Sequence, residues 1–457
     1  MTKLLRFTVI IPALTFVLLI TSCDSSDYPQ AEATQAPNEV LTESDSDTPP
    51  TEEPRELGFH EDFPTIIIYT EGNPFSCRER WRPGTITIES EFEVHRLDEM
   101  GVEARGRGNS TWWGGEDKRP LRLRLERRYA MPGSQYEARR WILLANHFDK
   151  SMMRNFGSYY LAGLLDGMEY APMTQFVHLY ANGVYMGVYM LTDERNTGPG
   201  RAQLHLDSDP AVSEYMLELC GRFRRERGTT GVDYVRISGI SHRIRLPDST
   251  SAHAEYVYEF MSRLDQAIRG HDYETVLQYI DLPSFVDFYI VQEFFKNPDV
   301  GWSSVFMQIK GQGEDRRLHM GPIWDFDLAA GNTTLQDDGR FYFPGEYGYS
   351  PIGLTAATRN HWYRYLMGIP EFFDAVRDRW HEVRDDQIAQ TLWRIADLTI
   401  TFQDDFERNF ERHQILGTNT GSNPDNIVAI ESFKGHVAFL LEFLTIRKEW
   451  LDEFFAY

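Results

Sequence analysis

The pattern of apolar and polar positions changes along the chain, from the period of strands to the period of helices. A β-branched run over 64–70 and an alternation over 84–97 predict two strands. Residues 121–125 alternate between leucine and arginine, which predicts a strand with one apolar face. Apolar runs within 176–191 flank Asn182-Gly183, and this pair predicts a tight β-hairpin because both residues tolerate positive φ.

Helical spacing of apolar residues dominates after about residue 250. The predicted helices cover 151–165, 252–269, 283–296 and the C-terminal residues from 437 to 454. A short strand pair is predicted at 303–309 and 316–320. A β-rich lobe over about 58–250 followed by a helical lobe over about 251–457 is an α+β architecture, and clefts between such lobes commonly hold ligands.

The first 23 residues have the pattern of an export signal. Lys3 and Arg6 precede an apolar run from Phe7 to Ile20, which is shorter than the roughly 20 residues of a bilayer-spanning helix. The run ends in Ile20-Thr-Ser-Cys23, which resembles the lipobox of bacterial lipoproteins; an ordinary signal peptide with a chance cysteine is the alternative. The resemblance implies a signal peptide at 1–22, a lipid on Cys23 and an extracytoplasmic protein anchored to a bacterial membrane.

Residues 23–57 are predicted to be a disordered acidic tether. Positions 24–57 contain ten acidic residues and one basic residue, and such a segment buries too little apolar surface to offset the entropy of ordering. Residues 1–23 carry a net charge of +2 and residues 24–57 carry −9, so the total of −23 leaves −16 on the predicted domain at 58–457. Any basic cluster within that domain is therefore a local feature.

Composition and absent motifs exclude several classes of protein. A hydrophobic content of 42% supports a packed core, a net charge of −23 argues against nucleic-acid binding, and three cysteines are too few for a disulfide scaffold. The sequence has no His-Glu-x-x-His motif, no Gly-x-Ser-x-Gly elbow, no Walker A loop and no Rossmann fingerprint. If Cys23 is lipidated, Cys77 and Cys220 remain, and export permits a disulfide between them.

A basic, glycine-rich stretch is the first candidate for chemistry. Residues 104–128 contain eight basic and three acidic residues, in contrast to the acidic domain around them. Gly106 and Gly108 allow backbone N–H groups to approach a ligand closely, which suits a polyphosphate. The candidate ligand-binding side chains are Arg105, Arg107, Asn109, Ser110 and Lys118. A twisted strand with a solvated arginine face is the alternative, and composition alone favours it.

A pair of aspartates in an apolar frame is the second candidate. Asp325 and Asp327 lie two residues apart, so in an extended segment both carboxylates face the same side and suit Mg²⁺ or Mn²⁺. The alternative is a turn that one of these aspartates caps. Asp299 follows the end of a predicted helix and precedes the strand pair that leads to Asp325. This order matches protein kinases, in which a catalytic-loop aspartate precedes a metal-binding aspartate.

Several longer segments occur in a fixed order along the chain. They are Arg105-Gly-Arg-Gly-Asn-Ser-Thr-Trp112, Trp141–His147 with Arg154-Asn155, Leu179–Tyr189, Trp324-Asp-Phe-Asp327, and the terminal helix with Arg447 and Trp450. Together they resemble the spore coat protein H (CotH) kinase family over roughly residues 60–455. The resemblance implies an atypical two-lobed kinase-like fold that binds ATP and a divalent metal. It also implies phosphorylation of serine or threonine in extracytoplasmic proteins.

The resemblance assigns roles to particular residues. Asp299 is expected to receive the proton of the substrate hydroxyl, and Asp325 is expected to bind Mg²⁺ or Mn²⁺. The stretch from Arg105 to Lys118 is expected to lie near the phosphates of ATP. Three further residues belong to the same motifs with less definite roles: Asp327, Asn332 and Asn297.

Two positions depart from the family pattern. Ser304 stands where many members have an asparagine five residues after the catalytic aspartate, which weakens a second metal ligand there. Asp193 stands where many members have a glutamate that pairs with a phosphate-binding base, so a shorter side chain is expected to loosen the site; Glu194 follows it. The favoured function is a membrane-tethered, metal-dependent protein kinase. The alternative is a surface binding protein, adhesin or assembly factor that keeps the fold without catalysis.

Overall fold

The computed structural model describes residues 62–72, 75, 77–114, 118–221, 231–334, 350–421 and 423–456. The predicted signal peptide, the lipid site at Cys23 and the acidic tether lie outside these residues. No helix within the described ranges is long and apolar enough to cross a membrane. The architecture is mixed α+β, with a β-rich part and a helical part, as the sequence predicted.

Seven strands from the first half of the chain close into a barrel. They are β1 (Thr65–Tyr69), β2 (Arg82–Glu89), β3 (Leu97–Gly106), β4 (Leu121–Tyr129), β5 (Ala138–Leu144), β6 (Thr174–Ala181) and β7 (Val184–Asp193). Consecutive strands pair antiparallel from β1 to β5, and β7 lies between β5 and β6. β1 pairs in parallel with β6 and closes the barrel. Alternate side chains fill its interior because the side-chain period of a strand is two.

The hairpin between β6 and β7 confirms the prediction made from Asn182-Gly183. Both residues have positive φ, 49° and 80°, as the turns that match the twist of paired strands require. The Asn182 Oδ1 atom also accepts a hydrogen bond of 2.7 Å from the backbone N–H of Thr70. This contact joins the turn to the end of β1, the strand that pairs with β6.

A second sheet has five strands in the order β12-β11-β8-β10-β9. Their bounds are β8 (Tyr215–Cys220), β9 (Tyr234–Ile237), β10 (Ile240–Leu246), β11 (Ser303–Lys310) and β12 (Arg317–Met320). β8 pairs with β11, so the predicted boundary near residue 250 runs through this sheet. The alternation of apolar and polar residues did not predict β8. Every residue of this strand is buried, so it lacks the alternation of a half-buried strand.

Helices pack against both sheets. The first five are α1 (Ser110–Gly114), α2 (Arg154–Leu164), α3 (Ser251–Gly270), α4 (Tyr273–Tyr279) and α5 (Leu282–Phe294). The others are α6 (Ala356–Arg359), α7 (Tyr363–Leu366), α8 (Pro370–Val383), α9 (Gln387–Thr401), α10 (Gln403–Arg412), α11 (Asp425–Val428) and α12 (Phe433–Phe454). The predicted helices correspond to α2, α3, α5 and α12, whereas α8, α9 and α10 were not predicted.

The start of α5 matters for the site because this helix leads directly to Asp299. Asp281 caps it, with Oδ1 accepting a hydrogen bond of 3.0 Å from the backbone N–H of Ser284. Pro283 lies in the first turn, where its missing N–H is not needed. The helix ends at Phe294, and a short 3₁₀ turn over Pro298–Gly301 then connects it to β11.

Candidate active site

A cavity of about 520 Å³ lies where the end of β3 meets the second sheet. Its walls come from the glycine-rich segment after β3, from β8, β10 and β11, and from the segment 324–327. Its volume is in the usual range for ligand pockets, roughly 300–1,000 Å³. The fold thus brings together the two stretches that the sequence marked as candidates for chemistry.

The glycine-rich segment turns sharply because its glycines leave room for close neighbours. A Cβ atom on Gly106 would meet the ring of Trp112 at 1.9 Å, and Gly108 has a φ of +92°. Arg78 Nη1 donates hydrogen bonds to the carbonyl of Gly108 at 2.7 Å and to Asn109 Oδ1 at 3.1 Å. The predicted ligand-binding residues Arg105, Arg107, Asn109 and Ser110 all line the cavity.

Arginine is the dominant charged residue of the cavity wall. The cavity lining contains four carboxylates and seven arginines. The arginines are Arg78, Arg105, Arg107, Arg122, Arg195, Arg243 and Arg245. The local excess of positive charge stands out because the whole chain carries −23. A cavity with this lining suits an anion with several charges, such as a chain of phosphates.

Two of these arginines, Arg107 and Arg195, lie beside the ring of Trp324. The guanidinium carbons are 5.6 Å and 3.9 Å from the ring centre. Burial lowers the pKa of both side chains, that of Arg195 to about 9. The charge of Asp325 raises the pKa of Arg107, whereas the charge of Arg107 lowers that of Arg195 further. Neither Arg107 Nε nor Arg195 Nη1 has a hydrogen-bond partner within the described residues, and both atoms are shielded from solvent.

The acidic side of the cavity is formed by Asp325 and Asp327. Ser304 Oγ donates a hydrogen bond of 2.9 Å to Asp325 Oδ2. Burial, and then the charges of Asp325 and Asp299, raise the pKa of Asp327 well above its ordinary range. Neighbouring carboxylates are unfavourable when all of them are ionised, and a divalent cation bound by Asp325 and Asp327 would offset their repulsion.

Amide side chains hold the backbone on either side of Asp325. The backbone N–H of Phe326 donates to Asn155 Oδ1 at 2.7 Å, and Asn155 Nδ2 donates to Asn146 Oδ1 at 3.1 Å. Asn297 Nδ2 donates to the carbonyl of Asp325 at 3.4 Å. The segments that contain Asn146 and Asn155 therefore position the aspartate loop, in addition to lining the cavity.

The backbone around the cavity is strained. Asp325 has a φ of +69° and Ser304 has a φ of +61°, values that residues with a side chain rarely adopt. Four more residues with positive φ lie in the segments that support the site: Asn146, Met152, Lys296 and Ala330. Such conformations cost roughly 1–3 kcal/mol each and are concentrated at functional sites.

Asn332 supports the aspartate loop without lining the cavity. Its Nδ2 atom donates to the carbonyl of Asp327 at 2.7 Å and to that of Phe148 at 2.9 Å. Asn423 Nδ2 in turn donates to Asn332 Oδ1 at 2.8 Å. The predicted motif residue Asn332 is thus a structural link between three segments.

A buried ion pair also positions the segment that contains Asp327. Arg154 Nη1 lies 2.6 Å from Asp149 Oδ1, and both side chains are buried. Arg154 also donates hydrogen bonds to the carbonyls of Ala329, at 2.8 Å, and Ala330, at 3.1 Å. The Arg154-Asn155 pair noted in the sequence therefore holds both ends of the segment that contains Asp327.

Asp299 and Lys118 do not line the cavity. The backbone N–H of Asp299 donates to Asn297 Oδ1 at 3.1 Å, and its carboxylate is close enough to Asp327 to raise the pKa of that residue. Asp299 thus lies beside the acidic side of the site. Lys118 is buried with its Nζ atom 5.3 Å from the ring centre of Tyr189, where burial lowers its pKa well below the ordinary value. The expected contact of Lys118 with nucleotide phosphates does not fit this position.

Asp193 corrects an expectation from the sequence. It is fully buried and pairs with Arg201, whose Nε lies 2.9 Å from its Oδ1, and the hydroxyl of Tyr136 also donates to it. The neighbouring Glu194 is the residue that reaches the cavity wall, with Oε1 3.2 Å from Arg122 Nε. Asp193 therefore pairs with Arg201, which does not line the cavity, and not with a cavity arginine.

The residues present fit a metal that arrives with a phosphate ligand. Within the described ranges no group of three or more histidine, cysteine, aspartate or glutamate side chains is arranged to hold a metal. Mg²⁺ commonly takes only one or two carboxylates from a protein and completes its shell with phosphate oxygens and water. Asp325 and Asp327 would supply those carboxylates. Cys77 and Cys220 are both free thiols, and Cys220 lines the cavity.

Several cavity residues were missed by the sequence reasoning. Arg195 follows the hairpin strand β7, and no local motif distinguishes it from a surface arginine. Arg243 and Arg245 lie two apart on β10, which is a strand spacing, but β10 was not predicted. Only the pairing of β8 with β10 and β11 brings these side chains to the glycine-rich segment.

Comparison with known families gives a match to a family model. The family model described as CotH kinase protein matches residues 104–451, a range that contains the glycine-rich segment and both cavity aspartates. Comparison with curated proteins gives no match. Because the matched range covers more than half of the 457 residues, the chain belongs to the CotH kinase family.

Proposed function

We propose that the protein is an ATP-dependent protein kinase that uses Mg²⁺ or Mn²⁺ and acts outside the cytoplasm. The main support is that a single cavity sets the basic glycine-rich segment opposite Asp325 and Asp327. Phosphoryl transfer needs this combination, because the phosphates require cations and a bridging metal requires carboxylates. Membership of the CotH kinase family points to the same activity.

The roles of the cavity residues follow from their charges. Arg105 and Arg107 bind phosphate oxygens of ATP, while Asn109 and Ser110 supply short polar groups at the same wall. Asp325 and Asp327 hold the metal on the phosphates. A bound Mg²⁺ or Mn²⁺ would neutralise the charge that develops on the phosphate oxygens during transfer.

Asp299 is the proposed proton acceptor. The oxygen of the acceptor serine or threonine bonds to the γ-phosphorus while the bond to the β-phosphate oxygen breaks and ADP leaves. The hydroxyl proton passes to the Asp299 carboxylate.

The export signal supports an extracytoplasmic acceptor. A lipid on Cys23 would hold the domain near a bacterial membrane, and an acidic tether over 23–57 would let it reach proteins at some distance. The acceptor is thus proposed to be a serine- or threonine-containing protein of the cell surface or a secreted protein, and nucleic acid is not expected to bind.

The decisive experiment measures ATP binding and phosphate transfer separately. Purified protein with labelled ATP and Mg²⁺ or Mn²⁺ should phosphorylate itself or a serine-rich acceptor. Asp325→Ala should lose metal-assisted ATP binding and transfer together, whereas Asp299→Asn should keep ATP binding and lose transfer by roughly 10²–10⁴-fold. Asp374→Ala is the matched control, because Asp374 is an exposed carboxylate on α8.

A binding or assembly protein without catalysis is the second candidate, and Ser304 favours it. A hydroxyl at this position is a weaker metal ligand than the asparagine of many relatives, and it already donates to Asp325. This candidate predicts no transfer with either metal and a thermal melt that ATP does not shift. Transfer by the wild type that Asp299→Asn abolishes would exclude it.

A further inference from the structure

We infer that Arg195 binds the phosphate chain directly and supplies the positive charge beside Asp325 that a second metal would otherwise supply. The inference rests on the proposed function for the identity of the anion. It concerns a residue that no sequence motif marked, and it follows from the aromatic contacts, charges and hydrogen bonds around Arg195.

Aromatic rings fix the plane of the Arg195 guanidinium group. Its central carbon lies 3.9 Å from the ring centre of Trp324 and 4.7 Å from that of Phe306. Stacking of this kind occupies the flat face of a guanidinium and leaves its N–H edge available for hydrogen bonds. The Nη1 atom on that edge is shielded from solvent and has no partner within the described residues. These contacts hold Arg195 at the wall of the cavity.

Arg195 has no ion-pair partner of its own within the part of the chain that the structure describes. The carboxylate that acts on it most strongly is Glu218, which is engaged by Arg245 through a hydrogen bond of 2.6 Å from Nε to Oε2. The other strong influences are the cations Arg107 and Arg245, which repel Arg195. Arg245 is paired with Glu218 and Arg107 is acted on by Asp325, so Arg195 is the cation of this group that a bound anion would compensate.

Ser304 explains why such a charge is needed on this side of the site. In protein kinases a second metal is held by an asparagine that follows the catalytic aspartate, together with the metal-binding aspartate. Ser304 stands in place of that asparagine and donates a hydrogen bond of 2.9 Å to Asp325 Oδ2. An arginine at the phosphates is an established way to stabilise the charge of phosphoryl transfer. Arg195 is the cavity arginine nearest to Trp324, the residue that precedes Asp325.

The test uses inorganic tripolyphosphate without metal, because this probe isolates the phosphate contacts from adenine and from Mg²⁺. Calorimetry and thermal melts in EDTA compare the wild type with Arg195→Met, which keeps an apolar contact on Trp324 and removes the charge. One charge-assisted hydrogen bond contributes roughly 1.5–3 kcal/mol, so Arg195→Met should weaken tripolyphosphate binding by about 10–150-fold. Arg195→Lys, which keeps the charge without the planar group, should recover part of this loss.

Arg316→Met is the matched control. Arg316 is buried, its guanidinium carbon lies 5.2 Å from the ring centre of Tyr256, and its Nη1 also lacks a partner within the described residues. It does not line the cavity. Arg316→Met should therefore bind tripolyphosphate with the affinity of the wild type.

Stability separates a binding role from a structural role. Because Arg195 is repelled by Arg107 and Arg245, Arg195→Met should melt without ligand at or above the wild-type temperature. A lower melting temperature together with wild-type affinity would overturn the inference, as would absence of tripolyphosphate binding in the wild type. Arg195→Gln is the second neutral variant, and failure of both neutral variants to fold would also assign Arg195 a structural role.

The result is independent of whether phosphate transfer is detected. Loss of tripolyphosphate affinity in Arg195→Met alone supports the inference even if the protein transfers no phosphate. Transfer by the wild type combined with full affinity in Arg195→Met would leave the kinase proposal standing and remove only the role of Arg195. An equal loss in Arg195→Met and Arg316→Met would overturn the inference, because it would show a general effect of packing.

Discussion

At the scale of single residues, a buried histidine makes the stability of the fold sensitive to acid. His242 on β10 is fully buried and stacks on Trp362, with 5.8 Å between ring centres. Burial lowers the pKa of His242 to about 4 from its ordinary 6.5. The unfolded chain therefore takes up a proton near pH 6.5 that the folded protein takes up only near pH 4. Stability is lost as the pH falls through this window.

Replacement of the imidazole should remove this dependence. We expect His242 to reduce the free energy of unfolding by roughly 3 kcal/mol between neutral pH and pH 4. His242→Phe keeps an aromatic ring on Trp362. Between neutral pH and pH 4 its free energy of unfolding should fall by roughly 3 kcal/mol less than that of the wild type, as measured by urea unfolding at several pH values. His205→Gln is the control, because His205 is 60% exposed and should leave the pH profile unchanged. Parallel profiles for the wild type and His242→Phe would contradict the prediction.

At the scale of elements, the terminal helix α12 is joined to α5 by a buried ion pair. Arg447 donates to Glu293 Oε1 at 2.6 Å and to the Glu293 carbonyl at 3.1 Å, and both side chains are buried. Glu293 also accepts hydrogen bonds from the backbone N–H groups of Thr355, at 2.6 Å, and Ala356, at 2.8 Å. Because α5 ends just before Asp299, this contact between the helices also positions the proposed proton acceptor.

Loss of Arg447 should therefore destabilise the protein strongly. Arg447→Met would leave the Glu293 carboxylate buried without its cation, which costs roughly 3–5 kcal/mol in comparable pairs. Chemical unfolding should show this as a lower denaturant midpoint. Arg377→Met on α8 is the control, since Arg377 pairs with Asp374 and Asp378 at the surface and its loss should leave the midpoint nearly unchanged. Equal midpoints for the two variants would show that the buried pair does not stabilise the fold.

At the scale of the whole molecule, a basic cavity lies within an acidic protein. Residues 58–457 carry a net charge of −16, so the long-range field repels an anion while the seven arginines of the cavity attract it at short range. Salt screens charges separated by more than about 10 Å at 0.1 M, but it screens contacts in a partly closed cavity much less.

The association rate of ATP should therefore rise with salt concentration. Stopped-flow measurements with a fluorescent ATP analogue, between about 0.01 and 0.1 M salt, test this because the screening length falls from about 30 to about 10 Å over that range. The dissociation rate should change less, since it reflects contacts inside the cavity. An association rate that falls with salt would mean that the local arginines, and not the net charge, dominate the approach of the ligand.

Much of the local structure was predictable because it depends on short-range patterns. The alternation at 121–125, the Asn182-Gly183 turn and the cap of α5 by Asp281 all specify their elements through neighbours in the chain. The order of the segments also identified the family and the two walls of the cavity. β8 was not predictable, because burial on both faces removes the alternation by which strands are recognised.

The sequence by itself determined the mixed α+β class, the kinase family and the chemical types of the site: a basic glycine-rich segment and a pair of aspartates. Only the tertiary structure decided which side chains face the cavity. It placed Glu194 and not Asp193 against Arg122, buried Lys118 beside Tyr189, and brought Arg195 to the wall of the cavity. The physical reason is that side-chain neighbours across a barrel and a sheet are set by strand register and packing, which connect residues distant in the chain.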